Sequence, residues 1–243
     1  MVKEVPKAEI YHYYQNFNFI VKYLHTFRYR WINTVFKALE KKNSFSMPIK
    51  VVDIGCGTGN LYKFLNNQNY KIDYIGIEPT ENFYNYCLDN YGANENFTLI
   101  RGNAEDHLND IDDVDIYVAL ETFEHIPEYV VPYLLKLMAD KKPKLLACSV
   151  PIEIGPAIII KNVGSKIMGY LRYKEYKWIE TFWAGIYRLD KIPPHGTKHI
   201  GFDWRWLKHN IRQNFKITSI KTSPISIIPA SFAPSICFTA KPY

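Results

Sequence analysis

The chain has 243 residues, 47% of them hydrophobic, enough to bury one sizeable core without calling for a second domain. Its 30 Lys and Arg against 24 Asp and Glu give a formal charge of +6, mildly basic and well short of demanding a nucleic-acid partner. The cysteines, Cys56, Cys87, Cys148 and Cys237, are scattered with no C-x-x-C pair, which argues against a thiolate zinc site and a disulfide framework. The first residues, MVKEVPKAEI, lack an apolar leader segment, and no run reaches the ~18 apolar residues of a membrane span. A cytoplasmic chain with no integral membrane segment is expected.

Tyr11 to Lys42 carries Phe17, Ile20, Val21, Leu24, Phe27, Trp31, Ile32, Val35 and Leu39 at roughly helical spacing, with Arg and Lys between them. One or two helices are expected there, as an N-terminal helical extension over residues 1–47. The remaining residues, 48–243, are expected to form one α/β domain.

That domain is organised around Lys50–Leu61, KVVDIGCGTGNL. Val51, Val52 and Ile54 make a short β-branched strand that carries Asp53, then breaks into Gly55-Cys56-Gly57-Thr58-Gly59, and an amphipathic helix starts at Leu61. Glycines two apart admit positive φ and leave no Cβ in the way, so a polar ligand can lie against bare backbone while N–H groups point at it. The spacing departs from the G-x-G-x-x-G of dinucleotide folds, and no Lys-Ser/Thr follows as in a P-loop. The pattern resembles motif I of the class I S-adenosylmethionine (SAM) dependent methyltransferases. That resemblance implies an open, Rossmann-like seven-stranded mixed sheet with helices on both faces, and a loop that accommodates the methionine part of SAM. It also makes the helices ahead of the first strand a cap on the substrate side, with Tyr11, Tyr13, Tyr14, His25, Arg28 and Arg30 as lid candidates. A helix packed on the sheet for stability accounts for the same pattern.

Next, Tyr74-Ile75-Gly76-Ile77 ends on Glu78-Pro79, where the proline stops the strand and leaves a carboxylate at its tip. An acid there is placed to accept from two ribose hydroxyls. Asn82 to Tyr91 reads as a helix and Phe97 to Ile100 as a third strand, followed by Arg101-Gly102-Asn103-Ala104-Glu105-Asp106. This resembles the family's G-D-A-E/D segment at the adenine edge, with Asn103 where aspartate is more usual. An Asn Oδ1 still accepts a hydrogen bond but brings no charge, and the N–H groups of Ala104 and Glu105 serve the ring whatever the side chain.

Asp112, Asp113 and Asp115 lead into a fourth strand, Ile116 to Leu120, and are expected to be a solvated strand entry. Its carboxyl end, where ligands of open α/β sheets collect, includes Leu120 in the donor pocket and runs on into Glu121-Thr122-Phe123-Glu124-His125. This resembles the E-x-x-E-H turn of two branches of the superfamily. One holds small-molecule O-methyltransferases such as those of ubiquinone biosynthesis; the other holds small-RNA 3′-terminal 2′-O-methyltransferases. In the RNA branch both glutamates, the histidine and a downstream histidine bind a divalent ion. Here His195-Gly196-Thr197-Lys198-His199-Ile200-Gly201-Phe202-Asp203-Trp204 supplies the downstream candidate, so the set would be Glu121, Glu124, His125 and His199 with Mg²⁺, Mn²⁺ or Fe²⁺. A metal-free polar pocket fits the same residues.

Pro132 to Ala139 follows as a helix and Lys144 to Val150 as the fifth strand. Pro151 to Pro194 is longer than an ordinary connection and joins an apolar run (Ile152, Ile154, Ala157 to Ile160) to a basic, aromatic one (Lys166 to Arg188). It is expected to be a substrate-selecting lid. Interleaved cations and aromatics can also stack bases, and an apolar run flanked by lysines can lie on a bilayer, but Glu153, Gly155 and Pro156 interrupt a clean amphipathic helix. Trp204 to Asn214 reads as a helix capped by Asp203, and Phe215 to Ile220 and Ser235 to Ala240 as the two last strands.

The resemblance implies methyl transfer from SAM to a small-molecule acceptor, most simply at a hydroxyl oxygen. Asp53, Gly55, Cys56, Gly57, Gly59, Glu78, Pro79, Asn103, Ala104, Glu105 and Leu120 would hold the donor, and Glu121, His125 and His199 would do the chemistry. Two alternatives remain: a metal-dependent RNA 3′-terminal 2′-O-methyltransferase, and a SAM-binding partner subunit with no chemistry of its own.

Overall fold

The computed structural model of the chain describes residues 19–41, 47–167, 169, 176–196 and 199–243, leaving out the side chains of 19–21, 24 and 25. Tyr11, Tyr13, Tyr14 and Phe17, the side chains of Ile20, Val21, Leu24 and His25, and Tyr170, Arg172, Tyr173, Lys174, Thr197 and Lys198 lie outside the described residues.

In chain order the elements are α1 (Phe19–Lys41), β1 (Ile49–Ile54), α2 (Asn60–Asn67), β2 (Ile72–Glu78), α3 (Glu81–Tyr91), β3 (Phe97–Arg101), α4 (Ala104–His107), β4 (Ile116–Leu120), α5 (Val131–Asp140), β5 (Leu145–Pro151), α6 (Pro156–Ile167), α7 (Trp178–Gly185), α8 (Trp204–Asn214), β6 (Phe215–Thr222) and β7 (Ser235–Pro242). The strands form one seven-stranded mixed sheet in the order β3-β2-β1-β4-β5-β7-β6. β1 runs parallel to β2 and β4, and β2 parallel to β3. Thr218 bonds to Thr239 and Ser223 to Ser235, so β6 and β7 run antiparallel. The central strands are near-continuous apolar runs because both faces are covered: β5 is buried along its whole length, and β4 everywhere but Leu120.

The chain divides into two compact units. The first takes the described residues up to Leu120 together with Leu137–Ala147; the second takes Glu121–Lys136 and Cys148–Lys241. In the first, α1 is a packed helix. Trp31, Ile32 and Phe36 are buried, Phe36 lies 5.1 Å from the Tyr70 ring, and the Tyr70 hydroxyl donates to Asn33 Oδ1 at 2.7 Å. Asp115 corrects the expectation of a solvated strand entry. It is buried, accepts from the Lys50 N–H at 2.9 Å and pairs with Lys144 Nζ at 2.8 Å, fastening the start of β4 to neighbouring chain. Asp112 and Asp113 of that run stay at the surface, Asp112 paired with Lys141.

In the second unit, the insertion after β5 corrects a second expectation. Glu153, Gly155 and Pro156 do not interrupt a helix; they open one. Gly155 takes φ +74° and Pro156 is the first residue of α6, where its missing N–H costs nothing. Glu153 is fully buried, held by Lys161 Nζ at 2.8 Å and by the Tyr176 hydroxyl at 2.6 Å. Asn162 donates to Thr181 at 2.8 Å, and Ile158, Tyr176, Ala184 and Ile192 make the small core that joins α6 to α7.

Candidate cofactor loop and acceptor cluster

In the first unit β1 runs into a loop whose glycines, Gly55, Gly57 and Gly59, all have positive φ. At Gly57 a Cβ would meet nothing within 4 Å, so the backbone there is bare on an open side. Gly59 is fixed by packing as well: a Cβ would come within 2.7 Å of the Tyr91 ring. That ring belongs to an aromatic cluster in which Tyr62 lies 5.3 Å from Tyr91 and 4.6 Å from Phe97, and Tyr74 stacks on Phe97 at 5.4 Å.

Glu78, at the tip of β2 and 4% exposed, ties itself to this loop. One carboxylate oxygen accepts from the Gly57 N–H and the other from the Thr80 N–H, each at 2.8 Å. Each oxygen keeps a second lone pair for a ligand hydroxyl. The Gly55 and Cys56 N–H groups both donate to the Ile77 carbonyl, and the Cys87 thiol donates to the Gly57 carbonyl at 3.2 Å. Cys56 is buried beside Cys87, and the hydrogen bond between them, then burial, pushes its thiol well up. Gly76 on β2 leaves the room: a Cβ there would sit 2.8 Å from Cys56 Sγ.

Asp53 is 3% exposed and accepts from the Tyr74 hydroxyl. Burial raises its pKa to about 7; the Tyr74 bond and the Arg28 charge pull it down, and the Glu78 charge pushes it up. Tyr74 in turn is held well above its ordinary range, first by burial and then by the Asp53 charge. Arg28, buried on α1, thus acts on the loop acid. After β3, Asn103 is exposed and stands at the N-cap of α4 without capping it, and Ala104 is buried; Pro79, after β2, is exposed.

The second unit begins at Glu121, directly after β4. Its N–H donates to the Ser149 carbonyl at 2.8 Å, and its φ of +57° turns the chain into the 3₁₀ turn Phe123–His125. That turn buries Glu124 completely and leaves the His125 side chain 48% exposed. His199 comes from far downstream, and its ring meets that of His125 edge-on at 4.8 Å. One ligand atom from each of Glu124, His125 and His199 lies within 4.8 Å of the others. Glu124 also acts on Cys148, whose thiol is held well up by burial and then by that charge. Three of the four expected metal-type residues therefore converge; Glu121 is not in the cluster. His195 instead contacts the Ile200 carbonyl at 3.3 Å and the Phe202 ring at 5.2 Å, bracing the chain just before α8. Asp203 caps α8 by accepting from the Arg205 N–H at 2.8 Å, as expected.

Arg28, Tyr74 and Cys87 were not legible as loop residues. In the sequence Arg28 reads as a lid or packed-helix residue, Tyr74 as a strand residue and Cys87 as a scattered cysteine outside any C-x-x-C pair. The parallel register that pairs Val51 with Tyr74 and Asp53 with Gly76 is the signal that puts Tyr74 on the face of Asp53, and it takes the paired strands to see it.

Residues 51–141 match the family model described as a methyltransferase domain. No curated protein matches the chain. Among solved structures the chain is similar to the methyltransferase domain of bacterial CtHen1-C, with a TM-score of 0.59 and 16% identity over 88% of this chain and 98% of that one. It is also similar to magnesium protoporphyrin IX methyltransferase (ChlM) from Synechocystis PCC 6803 with bound SAH, with a TM-score of 0.55 and 13% identity over 98% of this chain and 100% of that one. A third likeness, to WbdD, has a TM-score of 0.51 and 16% identity over 87% of this chain and 39% of WbdD, so the chain spans well under half of that protein's length. Identities this low speak for the fold alone. Among the described residues no helix is long and apolar enough to cross a membrane. The methyltransferase-domain match over residues 51–141, the glycine loop and the seven-stranded sheet together give the chain the class I methyltransferase fold.

Proposed function

We propose that the protein moves the methyl group of SAM to a hydroxyl oxygen of a small-molecule acceptor. The observation that carries this reading is the gathering of Glu124, His125 and His199, acid and imidazole side chains from two distant stretches of chain. Methyl transfer itself asks little of the protein, because the sulfonium already makes the methyl carbon electrophilic; acceptor, carbon and sulfur must be held in line and water kept away. A hydroxyl acceptor asks for one thing more, a place for its proton.

In this reading Gly55, Cys56, Gly57 and Gly59 hold the methionine part through the backbone, Asp53 receives its ammonium group, and Glu78 and Pro79 take the ribose. Asn103, Ala104 and Glu105 line the adenine side, and Leu120 completes the donor pocket. The acceptor oxygen attacks the methyl carbon, the carbon–sulfur bond breaks with its electron pair going to sulfur, and the hydroxyl proton passes to His125 or His199. Glu121 and the insertion over 151–194 shape the acceptor's seat. One carboxylate and two imidazoles also suit Mg²⁺ or Mn²⁺; held by Glu124, His125 and His199, such an ion would lower the pKa of the acceptor hydroxyl.

Calorimetry with SAM followed by transfer of a labelled methyl group to a panel of hydroxylated compounds tests the proposal. Binding with transfer to oxygen supports it. Binding with no transfer to any acceptor assigns the chain to a partner-subunit role instead, and no SAM binding overturns both.

The same cluster favours a second reading, 2′-O-methylation at an RNA 3′ end, because of its resemblance to the E-x-x-E-H turn with a downstream histidine. Transfer to RNA that needs Mn²⁺ or Mg²⁺ and vanishes in Glu124→Ala would select it.

A further inference from the structure

Among the described residues, helices α6 and α7 of the second unit bury one side and leave the other apolar and exposed. On α6, Ile158, Asn162 and Ser165 face inward, while Ile160, Val163 and Ile167, three and four residues apart and so on one stripe, face out. On α7, Thr181, Ala184 and Gly185 face inward while Trp178, Ile179 and Phe182 face out. These six outward side chains are between 39% and 80% exposed. An amphipathic surface helix should carry polar residues there, so both helices are patterned the wrong way round for water.

The cations beside the stripes narrow the choice of occupant. Lys166 and Lys177 are both exposed, and Lys166 Nζ lies 5.3 Å from the Trp178 ring, which joins the open edge of α6 to that of α7. Bulky aliphatic and aromatic side chains next to snorkelling lysines are the composition of a helix pair lying in a bilayer interface. A second copy of the chain fits less well, since a two-fold contact through this face would bring lysines toward lysines. A chain with a formal charge of +6 also favours an anionic surface over a neutral one. We propose that the outer face of α6 and α7 docks on an anionic membrane surface.

This inference concerns the same insertion, 151–194, that the proposed methyl transfer uses for the acceptor, but its test needs no acceptor and reads no turnover. The full chain is sedimented with vesicles of phosphatidylcholine alone and of phosphatidylcholine mixed with phosphatidylglycerol. The expected result is tighter binding to the mixed vesicles, weakened roughly tenfold or more in Ile167→Ser/Phe182→Ser. Lys166→Glu/Lys177→Glu should abolish the preference for phosphatidylglycerol. Both pairs are exposed, so thermal unfolding and SAM affinity should match the parent and rule out misfolding as the cause. Equal sedimentation of parent and Ile167→Ser/Phe182→Ser, or no preference for the anionic vesicles, overturns the proposal. A chain that ignores vesicles yet forms a dimer lost in that variant overturns it in favour of a second copy; one that ignores vesicles and stays monomeric overturns it in favour of a partner protein.

Discussion

The loop of the first unit and the cluster of the second solve opposite problems. In the proposed reading, recognition around Gly57 is carried by main-chain groups, held in place by one acid at the end of a neighbouring strand and by a thiol from α3. Around Glu124 it is carried by side chains brought from segments far apart in sequence. A donor shared by many reactions can be met by backbone, whose geometry glycine spacing fixes. An acceptor particular to one reaction has to be met by side chains, whose meeting depends on everything between them.

That contrast can be broken by experiment. Under the hydroxyl-transfer reading Glu124→Ala should lower turnover by about 10²–10⁴-fold while leaving SAM affinity unchanged, read by single-turnover kinetics beside calorimetry. Loss of SAM binding in that variant would erase the distinction between the two regions. Glu78→Ala should act on the other side, weakening SAM by roughly 10–100-fold through the lost charged hydrogen bonds, including the one that holds the loop.

Asp53 gives a test in pH. Its pKa in the folded chain is raised to about 7 from an ordinary value near 4. The stability it contributes is therefore complete below about 4 and is lost as pH climbs toward 7, where the buried carboxyl ionises. Asp53→Asn should gain on the parent over that interval, by on the order of a few kcal/mol, in denaturant titrations at pH 5 and pH 8. If the ionised form receives the ammonium group of SAM, affinity should climb by up to about tenfold per pH unit below about 7 in the parent and stay level in the variant. The smallest effect is expected at Cys87→Ala, about 1 kcal/mol in unfolding free energy and no more than roughly threefold in SAM affinity, since only a weak thiol bond to Gly57 is removed.

The glycine loop, the acid at 78 and the succession of strands along the chain are legible in the residues because their signals are local: β-branched runs, glycines two apart, a proline closing a strand. The start of α6 was misread because Gly155-Pro156 looks like a break until its place at a helix entrance is known. Asp115 reads as a solvated acid because its partners, the Lys50 N–H and Lys144, lie on other strand entries and leave no trace beside it in sequence. The convergence of His199 with Glu124 and His125 is what the resemblance implies; Glu121 stands outside that cluster, on a turn of positive φ that no residue pattern announces.

The open backbone at Gly57 has a kinetic corollary. In the proposed reading the donor is held by its amino-acid tail at Asp53 and the bare backbone and by its ribose at Glu78, and none of these contacts senses whether the sulfur still bears its methyl. Spent S-adenosylhomocysteine should then compete for the crevice about as well as fresh donor does, so a cell relying on this protein would have to clear that by-product to keep it turning over.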